Sequence, residues 1–240
     1  MEWTDQGIVV ELRPHGESSE IVQVVTRDHG RHAGIVRGGK SRQLRGVLQP
    51  GNKVSATWRA RLADHLGTFT IELLASHVAS IMTDAMATDA LSAACAMATS
   101  VLPEREPHGP VFEGLDILIG SLDDSQVWPA LYVRWELGLL QELGFGLDLS
   151  ICAVTGQTEG LTHVSPRTGR AVCAEAAKPY ESKLLRLPSF LVRSQMESVS
   201  NKDIESGLTI TGHFLERWVL VPHGAKLPPA RDRFLERLLR

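Results

Sequence analysis

Short runs of alternating apolar and polar side chains, separated by turn-forming residues, occupy the first 80 residues. Runs of this length that are rich in Val, Ile, Thr and aromatic residues predict β-strands. The five predicted strands are residues 7–12, 21–26, 33–37, 54–61 and 68–74. Five short strands in about 80 residues predict a small closed or partly open β-barrel.

The pattern changes to a helical one near residue 81. Residues 84–101 are rich in Ala and contain neither Gly nor Pro, which favours a helix. Residues 126–143 show a three- and four-residue apolar repeat, which predicts a helix with one apolar face. Its members are Trp128, Leu131, Tyr132, Trp135, Leu139 and Leu143.

Two further helices are predicted towards the C-terminus. One covers residues 201–220 and buries Leu208, Phe214, Leu215 and Trp218. The other follows Pro228-Pro229, and its apolar side consists of Phe234, Leu235, Leu238 and Leu239.

Between the helices, residues 151–172 have the composition of a hairpin or a zinc-knuckle-like turn. Cys152 and Cys173 flank this segment, but a structural zinc ion needs four ligands, usually in Cys-x-x-Cys pairs. Thr155 and Ala176 occupy the paired positions, and His163 would supply only a third ligand. We therefore expect no metal and no other cofactor, and we interpret all three cysteines, including Cys95, as buried thiols.

Together these patterns predict an α+β protein of two domains. The first is a β-barrel at residues 1–80, and the second is a helical domain at residues 81–240 with the hairpin inserted at about residues 151–176. The sequence begins without a basic, apolar leader, and its longest uncharged apolar-leaning stretch is residues 90–103. That stretch is shorter than the roughly 20 residues that span a bilayer, so we expect a cytoplasmic protein without membrane contact.

Charge is distributed unevenly along the chain, although the net charge is only −3. Nine Lys or Arg residues and one Asp lie between Arg27 and Arg61, which gives this segment a charge of +8. Residues 81–150 carry a charge of −9, and residues 151–240 carry +4. A local excess of basic residues indicates a polyanionic partner such as nucleic acid.

The string GIVRGGKS, from Gly34 to Ser41, matches the phosphate-binding pattern G-x-x-x-x-G-K-[ST]. That chemistry requires a strand before the loop and a helix after it, whose N-terminus faces the phosphates. Here the chain soon reaches Gly46 and Pro50-Gly51, so no adequate helix is predicted. A flexible basic loop over the barrel is the preferred interpretation.

The sequence gives catalysis no positive support, because it has no nucleophile elbow, no His-Glu-x-x-His and no paired-Asp motif. Arg134 and Glu136 are interpreted as surface charges. The barrel region has few aromatic residues for stacking on bases, namely Trp3, Trp58 and Phe69. Binding should therefore depend on phosphate contacts, which are independent of sequence and sensitive to salt.

Long strings of this sequence resemble the RecO family of bacterial recombination mediators, in its alphaproteobacterial form. They include RPHGESSEIVQVVTRDHGRHAGIVRGGKSR, LQPGNKVSATWRARLADHLGTF and LSAACAMATSVLPEREPH. The strings WELGLLQELGFGLDLSICAVTG, VSPRTGRAV and LTITGHFLERWVL extend the resemblance over nearly the whole chain.

The resemblance implies an N-terminal oligonucleotide-binding (OB-fold) barrel and a C-terminal helical domain. It also implies binding of single- and double-stranded DNA, strand annealing, and partnership with RecR and with the C-terminal tail of single-stranded DNA-binding protein (SSB). Together these activities help to load RecA in DNA repair, on DNA of the nucleoid. Some family members bind zinc through four cysteines, two of which are replaced here by Thr155 and Ala176.

Mapped onto this chain, the expected DNA contacts are Arg31, Arg37, Lys40, Arg42, Arg45, Arg59 and Arg61. The leading hypothesis is a mediator without enzymatic activity. Two alternatives are a nucleotide hydrolase that uses Gly34 to Ser41, and an adaptor whose basic barrel binds an acidic protein.

Overall fold

The computed structural model of the chain describes residues 1–192 and 199–238. The chain divides into two compact units, residues 1–125 with 228–231, and residues 126–227 with 232–240. The predicted domain boundary at residue 80 stays a prediction. The predicted α+β class, with an N-terminal five-stranded sheet and helices after it, is confirmed.

The five strands of the first unit form the closed order β1-β2-β3-β5-β4. They are β1 (Glu2–His15), β2 (Ser19–Thr26), β3 (Gly30–Val36), β4 (Lys53–Arg59) and β5 (Thr68–Ala75). Closure is possible because the long strand β1 pairs with β2 through its second half and with β4 through its first half. The ring is completed by one parallel pair, Ile35 with Thr68.

The barrel core is formed by side chains that point inward at alternate positions along the strands. Every second residue of β3 and β4 is buried, as the alternating pattern predicts. The core consists of Val9, Val22, Val24, Val36, Leu48, Val54, Ala56, Trp58, Phe69 and Ile71. Between β3 and β4 lies the one-turn helix α1 (Arg42–Arg45).

Three more helices complete the first unit: α2 (Val78–Ile81), α3 (Ala85–Val101) and α4 (Gly109–Gly120). Helix α3 begins where expected, because the Asp84 carboxylate accepts hydrogen bonds from the amides of Met86 and Ala87. Its alanine-rich face is buried, and α3 lies against β1.

The second unit contains α5 (Trp128–Glu142), α6 (Ala174–Ala177) and α7 (Asn201–Phe214), together with α8 (Pro229–Leu238) from residue 232 onwards. The helix predicted for residues 201–220 is interrupted, because α7 passes into a wider π-helical turn at Leu215–Leu220. Phe234 of α8 packs against Tyr132 of α5, with ring centroids 4.8 Å apart. Leu239, predicted for the same side of α8, lies outside the described residues.

The predicted hairpin is present as part of a small sheet in the order β7-β6-β8. Its strands are β6 (Leu161–Val164), β7 (Ala171–Cys173) and β8 (Leu185–Arg186). A zinc knuckle is not shown: within residues 1–192 and 199–238, no group of three or more His, Cys, Asp or Glu side chains is arranged to hold a metal ion.

Glu136 corrects one interpretation of the sequence. It is fully buried rather than on the surface, and its carboxylate accepts a hydrogen bond from the hydroxyl of Thr211 at 2.5 Å. Helix α5 is covered by α7 on this side, where the Cβ of an alanine at Gly207 would lie 2.7 Å from Val133. Arg134 is partly buried and donates to the carbonyl of Phe190.

Candidate nucleic-acid interface

In the first unit, the nine Lys and Arg side chains between Arg27 and Arg61 fall into two groups, according to whether they form ion pairs. Four of them make ion pairs with carboxylates. These pairs are Arg27 with Glu113 (3.4 Å), Arg31 with Glu104 (3.4 Å), Lys53 with Asp116 (2.6 Å) and Arg59 with Glu2 (2.7 Å). Three of the four acidic partners come from the strongly acidic stretch that follows the barrel, so part of the local excess charge is neutralised within the unit.

The other five cations make no ion pair with any residue that the structure describes. They are Arg37, Lys40, Arg42, Arg45 and Arg61, and all five belong to the predicted DNA-contacting set. Four of the five lie within residues 37–45, here called the basic loop. Within residues 27–61, the uncompensated positive charge that a phosphate backbone would meet is therefore concentrated at this loop.

The conformation of the basic loop is fixed by local hydrogen bonds. The Ser41 hydroxyl accepts from the amide of Leu44 and caps α1. The Lys40 amine donates to the carbonyl of Gly16, 2.8 Å away at the tip of the β1–β2 hairpin. Arg37, Arg42 and Arg45 are exposed, so their guanidinium groups are accessible to a ligand.

Arg31 has a different environment from the basic loop. Only 13% of its side chain is exposed, and its Nε donates to the carbonyl of Leu102 at 2.9 Å. Burial lowers the pKa of Arg31, and the nearby carboxylates of Glu104 and Glu11 oppose that shift. Arg31 thus connects β3 to the segment between α3 and α4, and its predicted DNA contact stays a prediction.

Arg59 and Arg61 lie at the far end of β4 from α1. Lys53 and Arg59 are six residue steps apart along the strand, which is about 20 Å. A hydrogen bond and the negative charge of Glu2 raise the pKa of the exposed Arg59. Arg61 is exposed in the loop between β4 and β5. The seven predicted residues therefore do not share one environment, because Arg31 and Arg59 are paired with carboxylates and the other five are not, among the residues that the structure describes.

The phosphate-binding string from Gly34 to Ser41 does not adopt the required context. Its first residues end strand β3, its middle forms a turn, and the following helix α1 has only four residues. Lys40 points to the hairpin carbonyl of Gly16. This geometry favours the basic-loop interpretation.

The structure gathers aromatic rings that are far apart in the sequence. Trp3 stacks on His29 with centroids 4.1 Å apart and planes 8° apart, and it lies 5.8 Å from Trp58. His32 meets Trp3 and Trp58 edge-on. The rings line a cavity of about 510 Å³ together with Met1, Glu2, Asp28, Ala63, Arg105 and Pro107; we call it the aromatic cleft.

The aromatic cleft was not predicted from the sequence, where only Trp and Phe were counted as stacking residues. The alternating pattern of β3 places His32 on the inward face with Gly34 and Val36, so the sequence alone could have identified His32 as an interior residue of the barrel. His29 lies in the turn before β3, where no periodicity applies. Only the three-dimensional arrangement brings it to Trp3.

Arg105 bridges the aromatic cleft and the β4–β5 loop. It has a positive φ of 63°, and its guanidinium donates to the carbonyls of Ala63, Asp64 and His65. Its Cζ lies 6.0 Å from the centroid of the Trp58 ring. Carbonyl partners hold the group without neutralising it, so Arg105 keeps its positive charge beside the rings.

All three cysteines are buried free thiols, as predicted. Burial raises the pKa of Cys95 to about 12. Burial also opposes ionisation of Cys152, but hydrogen bonds from the Thr155 hydroxyl and from backbone amides, including that of Cys173, lower its pKa to about 6. The Nδ1 of His163 lies 3.0 Å from the hydroxyl of Thr162, within hydrogen-bonding distance.

Both the N-terminal and the C-terminal part of the chain match known protein families. The sequence model described as "Recombination protein O N terminal" matches residues 1–77, and "Recombination protein O C terminal" matches residues 82–226. A protein of Rhodospirillum rubrum named "DNA repair protein RecO" is 49% identical over 100% of this chain and 97% of its own length. Proteins of the same name from Rhodospirillum centenum and Caulobacter vibrioides NA1000 are 48% and 49% identical, each over 99% of this chain and over 94% and 98% of their own lengths. Within the described residues, no helix has the length and apolarity needed to cross a membrane.

Proposed function

Because the chain belongs to the RecO family of DNA repair proteins, we propose that it is a recombination mediator that binds DNA through the phosphates and carries out no chemical step itself. We assign the closed five-stranded barrel to the OB-fold. In this proposal the barrel holds single- and double-stranded DNA and promotes strand annealing. Its place of action is the nucleoid in the cytoplasm.

The observation that carries the proposal is the basic loop. Arg37, Lys40, Arg42 and Arg45 lie within nine residues and have no carboxylate partners in the described part of the chain. Contacts of this kind position a protein on the phosphate backbone without reading its sequence. A mediator needs that property, because it must bind any strand and then release it.

Two protein partners belong to the same proposal, and both rest on family membership. RecR would act with this chain in loading RecA. The acidic C-terminal tail of SSB would bind the second unit, whose residues 151–240 carry a net charge of +4. Opposite charge favours such an encounter and makes it sensitive to salt.

The test is a titration of labelled single-stranded DNA at several salt concentrations. The charge-reversed variant Arg37→Glu/Lys40→Glu/Arg42→Glu should bind more weakly, and the slope of log affinity against log salt should flatten by about one unit for each phosphate that the variant no longer binds. Addition of ATP should change neither value.

A matched variant reverses three exposed cations of the second unit, Arg167→Glu/Lys178→Glu/Lys183→Glu, and thus changes the net charge equally. We expect it to bind DNA nearly as the unchanged protein does. If the slope of log affinity against log salt is unchanged in the basic-loop variant but flattens in the matched variant, the DNA path lies on the second unit.

A further inference from the structure

The barrel carries a second feature suited to DNA, and its residues are different from those of the basic loop. The aromatic cleft presents flat rings and a fixed positive charge side by side. We propose that it holds one unpaired nucleobase of single-stranded DNA, stacked on the Trp3–His29 pair, with a neighbouring phosphate beside Arg105. This inference rests on the proposed DNA-binding function and adds a preference for single strands.

The rings of the cleft suit a nucleobase. Trp3 and His29 are only half-buried, so part of their surface is accessible, whereas Trp58 and His32 are buried and form the floor. Every nucleobase has a π-face, and stacking on aromatic side chains binds bases without selecting their sequence. A cavity of about 510 Å³ lies within the range of small-molecule sites and exceeds the size of one base.

The charges around the cleft suit a phosphate. Arg105 has no carboxylate partner among the described residues, and Arg59 and Arg61 lie on the chain segment that joins Trp58 to Ala63 of the cleft wall. Glu2 and Arg59 pair with each other, so the cations beside the cleft that have no carboxylate partner in the described part of the chain are Arg105 and Arg61, and the side chain of Asp5 faces the Nδ1 of His29 at 3.1 Å with little exposure to solvent. The strand backbone would therefore pass on the Arg105 side of the cleft, away from the exposed Asp28.

His32 supplies an independent sign of a ligand. It is 4% exposed and lines the cleft, and neither ring nitrogen has a hydrogen-bond partner of good geometry in the described part of the chain. A buried polar group without a partner is costly and needs an explanation. Because His32 lines the cleft, this unmet hydrogen-bonding capacity lies beside the proposed base site.

Base pairing makes this element specific for single strands. In a duplex the faces and edges of the bases are occupied, so a base must be unpaired before it enters a pocket. The basic loop, by contrast, contacts phosphates that both forms of DNA share. Substitutions in the aromatic cleft should therefore weaken binding to single strands alone, whereas substitutions in the basic loop should weaken binding to both forms of DNA.

The experiment compares three labelled DNAs at one salt concentration: a 20-nucleotide thymidine oligomer, an abasic oligomer with the same phosphates, and a 20-base-pair duplex. The unchanged protein should bind the thymidine oligomer at least about fivefold more tightly than the abasic one. His29→Ala and, separately, Trp3→Leu should remove most of that ratio and weaken thymidine binding by about five- to 100-fold. Duplex binding should stay the same.

Two control variants distinguish stacking from a general disturbance. His29→Phe retains a flat ring and should retain the ratio, and His15→Ala, at the exposed hairpin tip, should behave as the unchanged protein. A ratio near one in the unchanged protein, or a ratio that survives both His29→Ala and Trp3→Leu, overturns the inference while leaving the proposed function intact. Failure of the unchanged protein to bind any of the three DNAs at low salt overturns both.

Discussion

His32 is buried among aromatic rings and beside two other basic side chains. Burial lowers its pKa from the ordinary 6.5 to about 4, and the positive charges of Arg105 and His29 act in the same direction, with only the backbone of His29 opposing them. The unfolded chain therefore takes up a proton at this residue near pH 6.5, whereas the folded chain does so only near pH 4. Between these values the unfolded state holds more protons, so stability falls as the pH falls.

Replacing His32 with Phe should remove this acid sensitivity. We expect the free energy of unfolding of the unchanged protein to drop between pH 6.5 and pH 4 by roughly 3 kcal/mol more than that of His32→Phe. Urea unfolding at several pH values measures this difference. The exposed His15→Phe serves as the control, and equal pH profiles for His32→Phe and the unchanged protein would contradict the prediction.

At the scale of elements, the segment between α3 and α4 is fitted closely to the barrel. Gly30, which begins β3, has a φ of +69°, and a Cβ added there would lie 2.1 Å from the carbonyl oxygen of Glu106. The amide of Arg105 also donates to the carbonyl of Arg31 at 2.8 Å. Gly30 is thus required both by its backbone conformation and by the close approach of this segment.

Gly30→Ala should destabilise the protein by roughly 2–4 kcal/mol, because it adds a clash with backbone to the cost of a left-handed alanine. Gly38→Ala is the matched variant, since Gly38 has a φ of +67° but nothing within 4 Å of the added Cβ. It should cost only about 1–2 kcal/mol. Thermal or urea unfolding would show the difference, and equal losses of stability would mean that the segment moves aside freely.

The sequence predicted elements well where one face of an element is buried. Strands β2 to β5 begin and end near their predicted bounds because alternation marks which residues point inward, whereas β1 is longer than predicted at both ends. Glu136 was misread because α5 is covered on more than one side, and a polar residue opposite the main apolar face was assumed to meet water. Helix α4 was largely missed because Gly109, Pro110, Gly114 and Gly120 suppress the helical signal.

The candidate site was predictable in part for a related reason. The basic loop is contiguous in sequence, so its charge excess is visible without a structure. The aromatic cleft depends on the pairing of β1 with β4, which places Trp3 opposite Trp58. Likewise, the ion pairs that compensate Arg27 and Lys53 join residues more than 60 positions apart. No local pattern reports such long-range contacts.

Across the whole molecule, the division of cations into paired and unpaired groups should separate stability from DNA binding. Arg42→Gln/Arg45→Gln removes two unpaired charges and should weaken DNA binding severalfold at low salt with an unchanged melting temperature. Arg27→Gln/Lys53→Gln removes two paired charges. It should lower the free energy of unfolding by about 1 kcal/mol and leave DNA affinity nearly unchanged.

Both double variants change the net charge equally, so a uniform electrostatic effect would weaken DNA binding to the same extent in each. Anisotropy titrations and unfolding curves on the same samples would compare them. Equal losses of affinity would show that the positions of the charges are unimportant and would argue against the basic loop as a DNA-binding element.

The closure of the five-stranded sheet has a consequence for the proposed binding of several copies of this protein to one DNA strand. Strands with unpaired edges attract one another and lead to aggregation when molecules are crowded. Here β1 pairs with a neighbour on each side, and β3 and β5 close the ring through the single pair Ile35 with Thr68, so most of the strand edges of the barrel are occupied within the chain. Copies that bind side by side on a nucleic acid, as the proposed function requires, would therefore offer one another little unpaired edge on the barrel at which their strands could join.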